Sequence, residues 1–461
     1  MVSDKKNEVT DMAKGCMARE QADNRDLQLQ KTVRVAFKTL GCKLNFSETA
    51  TLERRLAEQG YNIVPFESDA EVYVVNTCAV TEQAGRKCRY YVHHVRQAHP
   101  SAKVVLMGCL SQLKAEALQK ELQVEMVLGS NSKFELPQRL AGLLETEPYL
   151  FENEKQTCFY GAYSLQEERT RSFLKVQDGC DYYCTYCTIP FARGHFRSGE
   201  LAGLVQDATD IVRHGIREIV LSGVNIGAYR TAKGEGFFDL LQALSSVEGL
   251  ERLRISSIEP DLLSDEIIAL VAERENIMPH FHIPLQSGCD TVLARMKRRY
   301  NTQLYADKVA LIRKRMPQAC IAADVIVGFP GETELEFAET ENFVKTQGIT
   351  YLHVFPYSMR PNTLAAAMPN QVEKAVKTER VRTLMDLSER KKMDFYRASE
   401  GRTAQVLVES KVRGNYYCGF TENYIKVKLH CSEKEVNTVQ KVRLSEICAD
   451  GMMGGELLPS E

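Results

Sequence analysis

The chain has 461 residues, a formal net charge of -2, 44% apolar and 26% charged residues, and 14 cysteines. This is ample material for two to four domains of the usual ~100–200 residues, and the balance of charge argues against bulk attraction to nucleic acid, though not against a local basic patch. The opening stretch MVSDKKNEVTDMAKGCMARE has no apolar signal-peptide core, and no run of about 18 apolar residues predicts a membrane span, so a reducing cytoplasm is the expected setting. There, closely spaced cysteines serve as metal ligands or reactive groups more often than as disulfides.

Residues 1–30 read as a polar extension, with Cys16 incidental. An amino-terminal α/β domain is expected over 31–150. VRVAFKTLGC, VYVVNTC and AKVVLMGC are strand-like runs separated by helical stretches, each ending in a cysteine: Cys42, Cys78 and Cys109. Alternating strands and helices predict a parallel sheet, whose ligands bind beyond the carboxyl ends of the strands. Spacings of 36 and 31 residues therefore still allow the three thiols to meet at one sheet edge. A connector of about 140–168 follows. Six further strand–helix units over 166–395 predict a complete or partial (β/α) barrel with its working groups on the strand-to-helix loops. Gln371–Ser399 reads as a long charged helix, and 396–461 as a small antiparallel β-barrel.

The segment DGCDYYCTYCTIP sets Cys180, Cys184 and Cys187 in one turn. Three thiolates hold a four-iron cube with one iron left open. The competing reading is structural zinc completed by His195 or Cys158, since Cys184-x2-Cys187 is a fair half-site. The bland reading of Cys42, Cys78 and Cys109 is three unrelated core cysteines. Cys88, Cys158, Cys289, Cys320, Cys418, Cys431 and Cys448 match no ligand position and are expected to be structural.

Cys180-x3-Cys184-x-Tyr186-Cys187 resembles the signature of the radical S-adenosylmethionine (SAM) superfamily. TLGCKLNFSET, VNTCAVTEQA, MGCLSQ, LQSGCDTVLARMKRRY, DVIVGFPGETELEF and FPYSMRPNTLAA resemble blocks of its methylthiotransferase family, and the last 60 or so residues resemble that family's TRAM domain. The likeness runs from about Lys31 to near the end. Within the family, Gly41-Cys42-Lys43-Leu44-Asn45 and FPYSMRPNT are most similar to the branch that modifies N6-threonylcarbamoyladenosine at position 37 of tRNA (t6A37). The branch acting on isopentenyl-adenosine reads closer to GCQMN, and that acting on a ribosomal-protein aspartate closer to GCPKN.

This resemblance implies one [4Fe–4S] cluster on Cys180, Cys184 and Cys187 and a second on Cys42, Cys78 and Cys109, facing each other across the interdomain cleft. SAM would act as methyl donor and radical source, and C2 of the base would be methylthiolated. Tyr186 would lie over the cluster or the cofactor. Ser222, Gly223 and Asn225, then Gln286, Asp324, Gly328 and Pro356, fall in loops that line SAM in the family; ordinary turn chemistry is the bland alternative. Arg193, Arg197 and Tyr424 are candidate tRNA contacts, Lys297-Arg298-Arg299 a further basic stretch, and Arg86 to Arg89 reads as a solvated helix face. An electron donor such as flavodoxin or ferredoxin and a sulfur source are implied partners, and no membrane. Rival expectations are methylthiolation of another tRNA base or of a ribosomal-protein aspartate, and a zinc-stabilised RNA-binding protein without catalysis.

Overall fold

Six parallel strands form the first sheet: β1 (Arg34–Thr39), β2 (Asn62–Val64), β3 (Val72–Thr77), β4 (Lys103–Gly108), β5 (Met126–Leu128) and β6 (Tyr149–Leu150), in the order β2-β1-β3-β4-β5-β6. These details come from a computed structural model that describes residues 33–80, 82–143, 149–150, 158–165 and 170–459. The expected extension and most of the connector lie outside the described residues. Successive strand residues face opposite ways. Val72, Val74, Val105 and Met107 thus enter one core, and Tyr73, Val75, Val104 and Leu106 enter the other. Burial on both faces is why VYVVNT is nearly unbroken in its apolarity. Because β1, β3 and β4 are neighbours, the helices Lys43–Glu58, Glu82–Ala98 and Cys109–Leu122 all begin along one edge.

The second body starts with β7 (Ala162–Tyr163), antiparallel to β8 (Arg171–Lys175). A two-stranded ribbon follows, β9 (Gln177–Asp178) with β10 (Arg197–Ser198). Strands β8, β11 (Glu218–Ser222) and β12 (Arg252–Arg254) run parallel, as do β13 (His280–His282), β14 (Cys320–Val327) and β15 (Tyr351–Pro356). Isolated parallel bridges Leu253–Ile277 and Ser257–His282 join the two groups. The result is an open arc of six parallel strands, a partial barrel. Leu174, Ile219, Leu221, Leu253, Phe281, Ile321, Ala323, Val325 and Leu352 pack outward against the helices. By alternation, the lumen receives Arg171, Glu218, Arg252, Arg254, His280, His282, Asp324 and His353.

The tail is a closed five-stranded barrel of β16 (Thr403–Arg413), β17 (Tyr416–Thr421), β18 (Lys426–His430), β19 (Val439–Ile447) and β20 (Met453–Leu457). It differs from the expected all-antiparallel form in one pair: β18 and β20 are parallel. A ring with an odd number of strands cannot alternate direction at every pair. Helix Lys374–Arg397 connects the bodies, with Leu384 and Leu387 in the partial-barrel core and Tyr396 in the tail core. Among the described residues no helix is long and apolar enough to cross a membrane.

Candidate functional site

Cys42, Cys78 and Cys109 each lie just past the end of β1, β3 or β4. Cys42 caps helix Lys43–Glu58 in an extended conformation, and Cys109 opens its own helix. The three thiols lie within electrostatic reach of one another. Polar side chains staple their loops together. Asn45 Nδ2 donates to the carbonyls of Leu40 (2.7 Å) and Thr77 (3.1 Å), and Thr77 Oγ1 donates to Met107 O (2.7 Å) and accepts from Ser111 N (3.1 Å). Gly41 has φ +104°, and a Cβ there would stand 2.7 Å from Cys78 Cβ. Only glycine allows the first loop so near the second thiol.

Cys180, Cys184 and Cys187 share the loop after β9 and also sense one another electrostatically. Cys187 N donates to Cys184 O (3.0 Å), and Tyr182 N donates to Cys180 Sγ (3.5 Å). Gly179, with φ +70°, is pressed onto the His195 carbonyl, where a Cβ would collide. Arg298 donates to Cys184 Sγ (3.1 Å) and Tyr186 Oη (3.4 Å), and forms an ion pair with Glu259. The Tyr186 ring meets Phe329 edge-on. A cavity of about 620 Å³ opens beside Cys180, lined in part by Gln177, Asn225 and Arg299.

Burial pushes the thiols of Cys78 and Cys180 up to about 11 and that of Cys187 up to about 12. It lifts Cys88 and Cys320 equally, to about 12, so burial does not mark a ligand; convergence does. Among the described residues, the one set of His, Cys, Asp or Glu whose ligand atoms all lie within 4.8 Å of one another is His282, Asp324 and His353. Three thiols in each trio, with no histidine or carboxylate joined to them in such a set, are the donor chemistry that iron–sulfur clusters take. His195, a candidate fourth zinc ligand, is turned to Asp181 instead (2.9 Å).

Arg193 and Arg197 correct the sequence-based expectation of RNA contacts. They are 1% and 9% exposed. Arg193 donates to Cys109 Sγ (3.2 Å), Glu48 Oε1 (3.0 Å), Asp178 Oδ1 (3.0 Å) and Asn45 Oδ1 (2.7 Å). Arg197 donates to Asp178 Oδ2 (3.0 Å), Asn131 Oδ1 (2.8 Å) and the Cys158 carbonyl (2.8 Å). Lys175 bridges Glu48 (2.9 Å) and Asp178 (2.8 Å), and Lys133 also pairs with Glu48. Buried charges demand such partners, so these guanidinium groups weld the two bodies together and are closed to phosphates. Tyr424 is corrected as well. Its ring stacks on Phe420 (4.6 Å) and meets His280 at a tilt (4.5 Å), so it is already engaged by neighbouring rings. Arg298 is committed to Cys184, and Arg299 covers the Tyr182 ring (3.9 Å).

Glu48 escaped the sequence reading, yet it had left a signal. Leu44, Glu48, Leu52 and Leu56 recur every four residues, so the carboxylate sits on the buried stripe of its helix. Glu259 and Arg298 gave no comparable pattern, because they are 39 residues apart in sequence, and neither did Lys175, whose partner Glu48 lies 127 residues away.

Residues 34–129 match the family described as Uncharacterized protein family UPF0004, and residues 174–344 match the Radical SAM superfamily. The threonylcarbamoyladenosine tRNA methylthiotransferase MtaB of Aquifex aeolicus is 37% identical over 420 residues, covering 89% of this chain and 100% of that protein. This chain belongs to the radical SAM tRNA methylthiotransferases. MtaB of Bacillus subtilis is 36% identical, with 89% of this chain and 93% of that protein covered. The tRNA-2-methylthio-N(6)-dimethylallyladenosine synthase of Alkaliphilus oremlandii is 32% identical, with 91% and 92% covered. Among solved structures, the radical SAM methyltransferase TsrM from Kitasatospora setae aligns with a TM-score of 0.55 at 16% identity, over 73% of this chain and 77% of that one, a likeness of fold alone.

A methylthiotransferase of this superfamily uses SAM and a [4Fe–4S] cluster. The residues anticipated around SAM divide into two groups. Ser222 Oγ and Asn225 Oδ1 are buried without a hydrogen-bond partner, and Gly223 lies between them in sequence. Gln286 is held at φ +62°, its backbone bridging Asp324 and Ile326. Pro356 ends β15 on the exposed side. Asp324 instead sits mid-strand, paired to His282 Nε2 (2.8 Å) inside the lumen. Gly328 is also reassigned: the stem of Lys377 fills the space where its Cβ would be, so it serves helix packing.

Proposed function

We propose that this enzyme installs a methylthio group on C2 of t6A37 in tRNA, using two [4Fe–4S] clusters. Cys180, Cys184 and Cys187 would hold the cluster that opens SAM, and Cys42, Cys78 and Cys109 a second one that carries the sulfur. Bound SAM would supply the methyl group and, on one-electron reduction, a 5′-deoxyadenosyl radical able to attack an unactivated ring carbon. The observation that carries this reading is the convergence of two separate thiol trios on one interface, where Arg193, six residues beyond Cys187, reaches Cys109. MtaB-type relatives that align along nearly their whole length support the choice of base.

The protein's own groups have definable tasks. Arg298 and Arg193 each place a guanidinium hydrogen on one cysteine sulfur, which steadies its direction. Tyr186, walled by Phe329, closes one side of the trio Cys180, Cys184 and Cys187. The large exposed apolar residues Val80, Tyr183, Phe191, Phe355 and Met359 all lie at or beyond the ends of strands that lead into the site. Splayed anticodon-loop bases would stack there.

The test is anaerobic reconstitution with reductant, SAM and tRNA bearing t6A37, with digested nucleosides read by mass spectrometry. Product should appear on that tRNA, and the protein should carry roughly eight irons. Product only on dimethylallyladenosine tRNA, or only on a ribosomal-protein aspartate, would replace the substrate. Colourless protein containing zinc would end the reading. The physiological reductant, flavodoxin or ferredoxin, and the sulfur source are read from the same assay by exchanging each component.

A further inference from the structure

The lumen of the partial barrel opens below the first trio, and most of its charged groups are mutually engaged. Arg171 pairs with Glu409 (2.7 Å), Arg254 with Glu218 (2.8 Å) and His282 with Asp324 (2.8 Å). Arg252 donates to the Phe420 carbonyl (3.0 Å). Three donor groups remain. Lys43, immediately after Cys42, makes no ion pair or side-chain hydrogen bond among the described residues, although Arg171, Arg254 and Glu218 are within its electrostatic reach. His280 is 6% exposed, and neither ring nitrogen has a partner. His353 is exposed into the same space, where His280, His282 and Lys43 sense one another.

A buried donor without an acceptor, as at His280, is costly, so this arrangement fits a ligand that brings its own acceptor oxygens. The spacing of His282, Asp324 and His353 would by itself also suit a divalent metal. Lys43 and Arg254 beside these imidazoles oppose a cation and favour an anion. Lys43 also lies within one side-chain length of the first trio. On an adenine, C2 and C6 flank the ring nitrogen N1 and N6 hangs from C6, so a base that offers C2 to that trio directs its N6 arm past Lys43.

Resting on the substrate proposed above, we propose that the lumen is the receptor for the free carboxylate of the threonylcarbamoyl arm. Lys43 is its cation, and His280 and His353 are its hydrogen-bond donors. These residues thereby set the choice among N6-modified adenosines.

The test is fluorescence anisotropy of the full-length protein with three labelled anticodon stem–loops. One carries t6A37, one its threonine methyl ester and one unmodified adenosine. Wild type should bind the acid at least about tenfold more tightly than the ester, the worth of one charge-assisted hydrogen bond. Lys43→Gln should erase that preference while leaving the unmodified loop unaffected, and Lys43→Arg should retain it. His353→Phe, at an exposed position, should halve the preference or more whether or not the lysine variant folds. Equal wild-type affinity for acid and ester overturns the proposal, as does a preference kept by both Lys43→Gln and His353→Phe. Methylthio product on t6A tRNA together with equal binding sinks only this inference; absence of product sinks the substrate reading as well.

Discussion

Glu48, fully buried, is answered by Arg193, Lys175 and Lys133. Burial alone would raise its pKa; these cations more than reverse that and hold it well below the usual carboxylate range. Glu48→Gln leaves three cations facing one another and should cost about 3–5 kcal/mol, read from urea denaturation. The pH dependence has a definite sign. Burial also works against the charged form of Glu218, yet Arg254, Arg171 and Arg252 bring its pKa from an ordinary 4.5 to about 2. A carboxylate so depressed stabilises the fold above its unfolded pKa, and that contribution fades as pH falls towards 2. The urea midpoint should therefore drop steeply below ~pH 5, and less steeply in Glu48→Gln. The two trios should separate by function. Cys184→Ala should abolish SAM cleavage, measured as 5′-deoxyadenosine, whereas Cys78→Ala should keep some cleavage and yield no methylthiolated base. Equal loss in both would deny them distinct roles.

At the level of strands and loops, Gly41→Ala should force the first loop off Cys78, since φ +104° and a 2.7 Å approach oppose any side chain there. The variant should fold and still cleave SAM but lose roughly four of eight irons, checked by iron analysis. Much of this level was legible. Strand runs ending in Cys42, Cys78 and Cys109 predicted parallel pairing, and the order β2-β1-β3-β4 places those ends side by side. The loop spacing of Cys180, Cys184 and Cys187 was equally plain, because local motifs need no knowledge of distant partners. Arg193 and Arg197 misled for the opposite reason. A basic residue beside a ligand loop looks available to phosphate until Glu48 and Asp178, 145 and 15 residues away from Arg193, are seen to claim it. Lys43 resembled any helix-opening lysine, and His353 any strand histidine; only the packing of the first body on the arc makes them neighbours.

Across the whole molecule the tail barrel is more than an appendage. Its carbonyls at Gln405, Phe420 and Glu422 accept from Arg252 and Arg254, deep under the partial barrel. Truncation after residue 401 should leave both guanidinium groups without these carbonyl acceptors, Glu218 their remaining partner, and lower stability by about 2–4 kcal/mol, seen as an earlier thermal transition. The seam between the first sheet and the partial barrel carries a parallel consequence. Its buried charges come from both sides, Glu48 and Lys133 from the first sheet and Lys175, Asp178, Arg193 and Arg197 from the partial barrel, so the partial barrel by itself would keep three cations against one anion and Glu48 by itself would lose two of its three cations. The two halves are obligate companions rather than interchangeable cassettes, and grafting either one onto a foreign scaffold would mean supplying the missing counter-charges too.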